Sequence, residues 1–193
     1  MIGKLFHVPA GLEEAVINIY PWDESGYKPE CRVRIGWDEK GLHVFMFCPE
    51  INPRKEEASF CGPVCYDSCM ELFMNPNPAK SPLYFNYECN AYPTVFLSIG
   101  SYRGDRIKLK KLPEGMEPTV RETNIGWSVQ YVITSGFIKE EFGTELTTGV
   151  RMKANFYKCG DKTEKPHFGC WNYVEWGKPD FHRPEYFGDI ALE

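Results

Sequence analysis

Residues 67–74, DSCMELFM, and residues 83–90, LYFNYECN, are the two stretches that decide the fold. In the first stretch, Met70, Leu72 and Met74 fall on one face of an extended chain, because successive side chains of a strand point to opposite faces. The other face carries Asp67, Cys69, Glu71 and Phe73. This alternation is typical of a β-strand that packs one face on a core.

The second stretch has the same period. One face carries Phe85, Tyr87 and Cys89, and the other carries Tyr84, Asn86, Glu88 and Asn90. If the two strands pair as a hairpin, their apolar faces must coincide, since a slip of one residue would bury the charged face. The pairing would then bring Glu71, Asn86 and Glu88 together beside aromatic rings.

The same alternation extends outward along the chain. Residues 31–37 and 42–48 predict another hairpin, whose turn at 38–41 contains Gly41. Further strands are predicted at 94–99, 106–112, 127–134, 150–157 and 189–192, with one short helix at 137–142 that begins after Ser135 and ends at Gly143. The prediction is an all-β fold, a single domain over residues 1–193. Its architecture is a two-sheet antiparallel β-sandwich, jelly-roll or immunoglobulin-like, with one short helix.

The bulk composition excludes several partners. The net charge of −5 and a pI near 5.5 give no reason to expect binding to nucleic acid or anionic lipid. No apolar run approaches the roughly 20 residues that a membrane helix needs. The first nine residues lack the apolar core of a signal peptide, so we expect a cytoplasmic location, or an extracellular one if a leader has been trimmed.

The eight cysteines are expected to be mostly reduced. Several lie inside strand patterns, where a free thiol serves as a small buried apolar group. Cys61, Cys65 and Cys69 suggest a zinc site, but their spacing is wider than the usual Cys-x₂-Cys, and Gly62-Pro63 interrupts any helix that would align them.

The order of these motifs resembles carbohydrate-binding modules of family 9. Members of that family show an Asp-Ser-x-x-Glu-Leu-Phe strand, matched here by residues 67–73, and then an aromatic strand that bears Glu and Asn, matched by 84–90. The C-terminal half, with KANFYKC at 153–159, Trp171 and FHRPEYFG at 181–188, also follows the family's order.

This resemblance implies a β-sandwich that stacks a sugar on aromatic rings and binds its hydroxyls through acid, amide and arginine groups. It implies that Glu71 is the sugar-binding acid, that Arg103 is a ligand-binding arginine, and that Asn155 and Trp171 provide C-terminal contacts. Where sugar-binding members usually carry a tryptophan platform, this sequence offers Tyr66 or Phe60. Some members also hold a structural Ca²⁺, for which Asp67 is the candidate ligand here.

The residues themselves leave alternatives open. Glu71 is a sugar ligand or a buried acid paired with Arg103 or Arg151, and Asp67 binds calcium or caps a turn. Asn86 and Glu88 are ligand contacts or a solvated sheet face. Further candidates come from the loop of residues 171–176, whose ends are Trp171 and Trp176, because exposed aromatic side chains on loops favour binding.

Three functions are compatible with these residues. The leading one is a non-catalytic domain that binds a mono- or oligosaccharide by aromatic stacking and by hydrogen bonds from acids and amides. The second is a glycoside hydrolase using the carboxylates of Glu71 and Glu88, although both are predicted on one sheet face and would have difficulty flanking a glycosidic bond. The third is a structural or interaction sandwich that has lost sugar binding. The oligomeric state stays open.

Overall fold

The computed structural model describes residues 14–193 and shows two antiparallel sheets and one helix, α1 (Ser135–Phe142). The predicted β-sandwich is confirmed. The strands are β1 (Ala15–Ile17), β2 (Cys31–Asp38), β3 (Gly41–Cys48), β4 (Cys69–Asn75), β5 (Tyr84–Asn90), β6 (Val95–Gly100), β7 (Ile107–Lys108), β8 (Thr119–Thr123), β9 (Gly126–Thr134), β10 (Arg151–Cys159), β11 (Phe168–Cys170) and β12 (Gly188–Ala191).

The first sheet has five strands in the order β1-β2-β3-β9-β8. Its hairpin of β2 and β3 is the predicted one, and the turn closes where Asp38 pairs with Gly41. Gly41 has a φ of 147°, and a Cβ at this position would lie 2.1 Å from the carbonyl oxygen of Ile133. Only glycine fits this close approach of β3 to β9.

The second sheet has the order β11-β10-β4-β5-β6-β7, and β12 also pairs with β10. In the β4–β5 ladder Met70 lies opposite Cys89 and Leu72 opposite Tyr87, so the apolar faces coincide as the alternation predicts. Glu71 then lies opposite Glu88 on the other face.

The main core fills the space between the two sheets. Tyr87 of the second sheet stacks on Tyr131 of the first, with ring centroids 4.0 Å apart. The same layer contains buried side chains from both sheets, among them Val44, Met46, Trp127, Val129, Met70, Leu72, Met74, Phe85 and Phe156. This layer fixes which faces of β4, β5 and β10 point outward.

A second apolar cluster covers the outward face of the second sheet. Phe181 lies flat on Tyr157 with centroids 4.1 Å apart and an interplanar angle of 11°. Phe187 contacts Tyr84 edge-on, and Val174 is fully buried in the same cluster. The chain from residue 171 to 187 therefore folds back over the sheet, and this cover creates a cleft.

The boundaries of several elements differ from the predictions. Thr134, rather than Ser135, caps α1, because its hydroxyl oxygen accepts a hydrogen bond from the amide of Phe137, while Gly143 ends the helix with a φ of 64° as expected. The predicted strand at 106–112 shortens to Ile107–Lys108, which pairs with β6 at the edge of the sheet and exposes both side chains. In residues 14–193 no helix has the length and hydropathy of a membrane span.

Candidate functional site

A cleft of about 970 Å³ opens between the outward face of the second sheet and the cover formed by the C-terminal segment. Strands β4 and β5 contribute Glu71, Phe73 and Glu88 to its base. The walls come from Pro63 and Cys65 before β4, from residues 96–108, from residues 159–161, from Phe168 of β11, and from residues 176–183. Long-range contacts thus build the cleft.

Two carboxylates lie at the base. Glu71 and Glu88 are directly opposite each other on neighbouring strands, and both are almost completely buried. Glu71 accepts a hydrogen bond from the Cys159 thiol at 2.9 Å, and Glu88 accepts one from the Asn86 amide at 2.8 Å. Each acid is therefore held in place by a neighbour on its own sheet.

Burial of these acids favours their protonated form. Burial raises the pKa of Glu71 well above its usual range, and the adjacent Glu88 adds to the effect. Burial raises the pKa of Glu88 to about 7 and that of Asp161 to about 6. A protonated carboxyl can both donate and accept a hydrogen bond, which suits a ligand rich in hydroxyls.

Aromatic side chains stand at the mouth and walls of the cleft. Trp176 is 44% exposed and Tyr102 is 58% exposed, and both line the cleft. The guanidinium carbon of Arg183 lies 3.2 Å from the centre of the Trp176 ring, which fixes one face of the indole. The indole nitrogen of Trp22 donates to the Trp176 carbonyl oxygen at 2.6 Å. Trp176 is thus held rigidly while its other surface stays open.

Cationic side chains also border the cleft. Arg103 binds Asp180 through two nitrogens at 2.9 and 2.7 Å, which joins the turn after β6 to the C-terminal cover. Its charge lowers the pKa values of Glu71, Glu88 and Asp161 against the effect of burial. Lys108 lies over the ring of Phe96, 4.9 Å from its centre.

The model of the carbohydrate-binding family 9 matches residues 7–192. The chain belongs to carbohydrate-binding family 9. Among the curated proteins none matches the chain.

Solved structures agree with this assignment. A protein from Bacteroides uniformis ATCC 8492, proposed to bind carbohydrate, is 27% identical, with a TM-score of 0.81 over 95% of this chain and 87% of that one. A family 9 module from Caldicellulosiruptor kristjanssonii in complex with cellotriose is 13% identical, with a TM-score of 0.64 over 94% of this chain and 83% of that one. The complex with glucose from the same organism gives 13%, a TM-score of 0.67, and coverage of 99% and 89%. At this identity the two complexes support the fold.

The predicted site residues of this family 9 domain divide into two groups. Glu71, Glu88, Arg103 and Trp176 come together around the cleft. Asn86 lies beneath it, fully buried, where its amide donates to Glu88 and its oxygen accepts from Ser98. It supports the base without lining the cleft.

Asn155 and Trp171 lie away from the cleft lining. Asn155 holds the backbone of Asn172 at both ends, donating to the carbonyl oxygen at 3.0 Å and accepting from the amide at 2.9 Å. Trp171 packs on the core residue Phe156, with centroids 5.2 Å apart. Both side chains attach the C-terminal cover to the sheet. Direct sugar contacts from Asn155 and Trp171 stay a prediction, and their distance from the cleft lining gives it no support.

Tyr66 is partly exposed but does not line the cleft, and the Lys162 ammonium lies 3.6 Å from the centre of its ring. Phe60 packs against the main core. Neither residue supplies the aromatic platform at the cleft that the resemblance assigns to this part of the chain.

Asp67 lies in a loop-fixing position. One carboxylate oxygen accepts from the amides of Glu56 and Glu57 and from the side chain of Asn90, each at 2.8 Å. The other oxygen pairs with Arg54 at 3.2 Å. Calcium takes oxygen ligands, whereas these neighbours are hydrogen-bond donors, so the geometry fits the turn-capping alternative; calcium binding stays a prediction.

Sequence reasoning missed Tyr102 and Asp161 as cleft residues, and it singled out residues 181–188 without predicting that Phe181 and His182 form a wall of the cleft. Tyr102 and Asp161 lie in loops without a periodic pattern. The segment that includes Phe181 and His182 belongs to a tail rich in aromatic residues and prolines, and only its fold over the sheet makes it a wall. The adjacent aromatic and proline residues of this tail were the one available signal.

One group in the described chain could hold a metal ion. The ligand atoms of Cys69, Glu71 and Cys159 all lie within 4.8 Å of one another, and all three residues are buried. Cys61 and Cys65, which the sequence places beside Cys69, do not belong to this group.

Proposed function

We propose that this family 9 domain binds a mono- or oligosaccharide in the cleft and performs no catalysis there. The observation that carries the proposal is the pairing of two buried carboxyl groups, Glu71 and Glu88, with two exposed aromatic side chains, Trp176 and Tyr102, in one cleft.

The chemistry of a sugar matches these parts. Its C–H faces pack on aromatic rings, and its hydroxyls need partners that both donate and accept hydrogen bonds. Trp176 and Tyr102 supply the rings. Glu71 and Glu88 supply carboxyl groups with raised pKa values, and Arg103 supplies N–H donors.

Glucose and cellotriose are the first ligands to test, because two solved structures of family 9 modules with the same fold are complexes with them. The low identity of those modules transfers the fold alone, so the choice between glucose and other sugars belongs to the experiment.

The position of the acids disfavours the hydrolase alternative. Glu71 and Glu88 are side by side on adjacent strands of one sheet face. A glycosidase needs its acids on two sides of the bond, about 5–5.5 Å apart for retention or roughly 6.5–9.5 Å for inversion. We expect chromogenic glycosides to stay intact, with no difference between the wild type and Glu71→Gln.

The test is a titration calorimetry and tryptophan fluorescence series with glucose, cellotriose and a panel of neutral glycans. Wild-type protein should release or take up heat and change its fluorescence. Trp176→Ala and Tyr102→Ala should each weaken binding by about 2 kcal/mol, or roughly 30-fold in Kd, because an aromatic anchor is lost.

Matched controls are available elsewhere on the surface. Tyr92 is 52% exposed but does not line the cleft, so Tyr92→Ala should bind like the wild type. Trp37→Phe, on the other sheet, should do the same. If no glycan in the panel gives heat or a fluorescence change, the proposal fails and the third function, a sandwich without sugar binding, takes its place.

A further inference from the structure

Three metal-ligating side chains converge under the cleft. The thiol of Cys159 lies 2.9 Å from a carboxylate oxygen of Glu71, and Cys69 completes a group whose ligand atoms are all within 4.8 Å of one another. Cys69 and Cys159 are at most 1% exposed and Glu71 is 2% exposed. Such spacing is suited to a single ion at its usual bond lengths, about 2.3 Å for zinc to sulfur and about 2.0–2.2 Å to carboxylate oxygen.

The strand ladder holds these ligands in place. Cys69 lies directly opposite Cys159 in the antiparallel pairing of β4 and β10, and Glu71 follows Cys69 by two residues on the same face. All three ligands therefore stand on central, hydrogen-bonded strands rather than on loops. A rigid scaffold of this kind is what a preformed ligand set requires.

One buried cation lies beside this group: the Lys158 ammonium donates a hydrogen bond to the backbone carbonyl oxygen of Cys159 at 2.8 Å, while its ion pair is with Glu50 at 3.2 Å. Arg103, whose charge also acts on Glu71, is engaged with Asp180 and has a side chain that is more than half exposed. The surrounding acids, Glu88 and Asp161, add further negative charge when ionised.

We propose that Cys69, Glu71 and Cys159 form a binding site for a thiophilic divalent metal ion, with zinc as the expected ion. Two thiolates and one carboxylate form a ligand set that zinc accepts, and a bound dication would stabilise their deprotonated forms. Three protein ligands leave a fourth tetrahedral position. Glu71 and Cys159 line the cleft, so that position is reached from the same opening as the sugar site.

The site differs from the zinc hypothesis that the sequence spacing suggests. The Cys61 thiol faces the backbone carbonyl oxygens of Leu97 and Leu109 as a hydrogen-bond donor, at 3.4 and 3.7 Å. Only Cys69 of the three closely spaced cysteines takes part, and its partner Cys159 is distant in sequence. The proposal does not depend on sugar binding.

Cobalt(II) provides the most direct test, because thiolate ligands give it a charge-transfer band in the near ultraviolet. Reduced protein, freed of metal with a chelator, should bind Co²⁺ with a stoichiometry of one and show this band, and Zn²⁺ should abolish it by displacement. Zinc affinity is then measured by competition with a chromophoric chelator.

The variants separate ligands from bystanders. Cys69→Ser, Cys159→Ser and Glu71→Gln should each weaken zinc binding by at least about 10- to 100-fold. Losing a residue that only hydrogen-bonds to a metal ligand already costs that much, and these variants lose a ligand itself. Cys89→Ser is the control, because Cys89 is equally buried but faces the core on β5. Circular dichroism of each variant checks that it is folded.

Two results overturn the proposal. One is the absence of a charge-transfer band when Co²⁺ is added to wild-type protein that is known to be reduced. Reaction of all eight thiols after denaturation establishes that reduced state. The other is a band that persists in the folded double variant Cys69→Ser/Cys159→Ser. The wild-type measurement decides the question even if a serine variant fails to fold.

Discussion

At the scale of the residue, His182 shows how the cover controls ionisation. Its imidazole is buried against Phe73, with ring centroids 4.7 Å apart, and its Nδ1 forms a hydrogen bond with the Tyr84 hydroxyl at 2.8 Å. Burial, with the charges of Arg106 and Arg103, lowers the pKa of His182 to about 2. The ring therefore stays neutral in the folded protein throughout the ordinary pH range.

This shift predicts a loss of stability in acid. Below pH 6.5 the unfolded chain binds a proton on His182 that the folded chain rejects, so the stabilising contribution is complete above pH 6.5 and declines as the pH falls toward 2. Between pH 7 and pH 5 the loss from this residue should be about 2 kcal/mol. Urea unfolding of the wild type and of His182→Gln at both pH values measures it.

The comparison isolates one group, because the carboxyl groups titrate alike in both proteins. The pH dependence of the unfolding free energy should be shallower in His182→Gln by that amount, whatever its absolute stability. Equal pH dependence in the two proteins would show that His182 is not buried as described.

At the scale of the element, the segment from residue 171 to 187 depends on Asn155 for its attachment. The Asn155 amide satisfies both backbone groups of Asn172 from the middle of β10. Asn155→Ala would leave these groups without their side-chain partner, at a cost of about 1–3 kcal/mol in the free energy of unfolding. Because Asn155 does not line the cleft, any loss of sugar affinity in this variant should come with increased protease sensitivity of the segment.

Denaturant unfolding and limited proteolysis, each compared with sugar titration, check this prediction. A variant that loses affinity while its stability and its cleavage pattern equal those of the wild type would instead make Asn155 a direct ligand contact.

The local elements were the part of the structure that the sequence could predict. Alternation in residues 67–74 and 83–90 predicted that the apolar faces of β4 and β5 coincide and that Glu71 and Glu88 share the other face, because a slip of one residue would bury the charged face. The 106–112 strand was overextended: only Ile107 and Lys108 pair as a strand with β6, although Leu109 and Leu112 still pack against the core.

The rest of the site depends on long-range contacts that periodicity does not encode. Cys159 meets Cys69 only through the β4–β10 ladder, and Phe181 meets Tyr157 only when the tail crosses the sheet. The assignment of Trp171 to the ligand site was drawn from the family's order of motifs and from the aromatic loop of residues 171–176, and in the structure this side chain packs on Phe156.

At the scale of the whole molecule, a buried ion pair joins the two sheets. Lys158, on the inner face of β10, has no exposed surface, and its ammonium lies 3.2 Å from Glu50 and 2.6 Å from the His167 ring. Glu50 follows β3 and accepts a hydrogen bond from the Trp127 indole of β9 at 3.0 Å. One lysine thus connects the second sheet to two strands of the first.

Breaking one side of this pair should be costly. Lys158→Met leaves the Glu50 carboxylate buried without its cation, and Glu50→Gln leaves the ammonium without its anion, so each should reduce the free energy of unfolding by about 3–5 kcal/mol. The double variant should lose less than the sum of the two, since no isolated buried charge remains. If the double variant loses as much free energy of unfolding as the two single variants together, Lys158 and Glu50 do not interact as an ion pair between the sheets.

The central claim is that the cleft under the C-terminal segment is where a sugar binds, and a crystal structure of the protein soaked with glucose or cellotriose tests it most directly. We expect the sugar ring in the cleft, in contact with the exposed surface of Trp176 or Tyr102, with a hydroxyl within hydrogen-bond distance of Glu71. A sugar bound at another surface, or a cleft that stays empty at concentrations that saturate binding in solution, would contradict the claim.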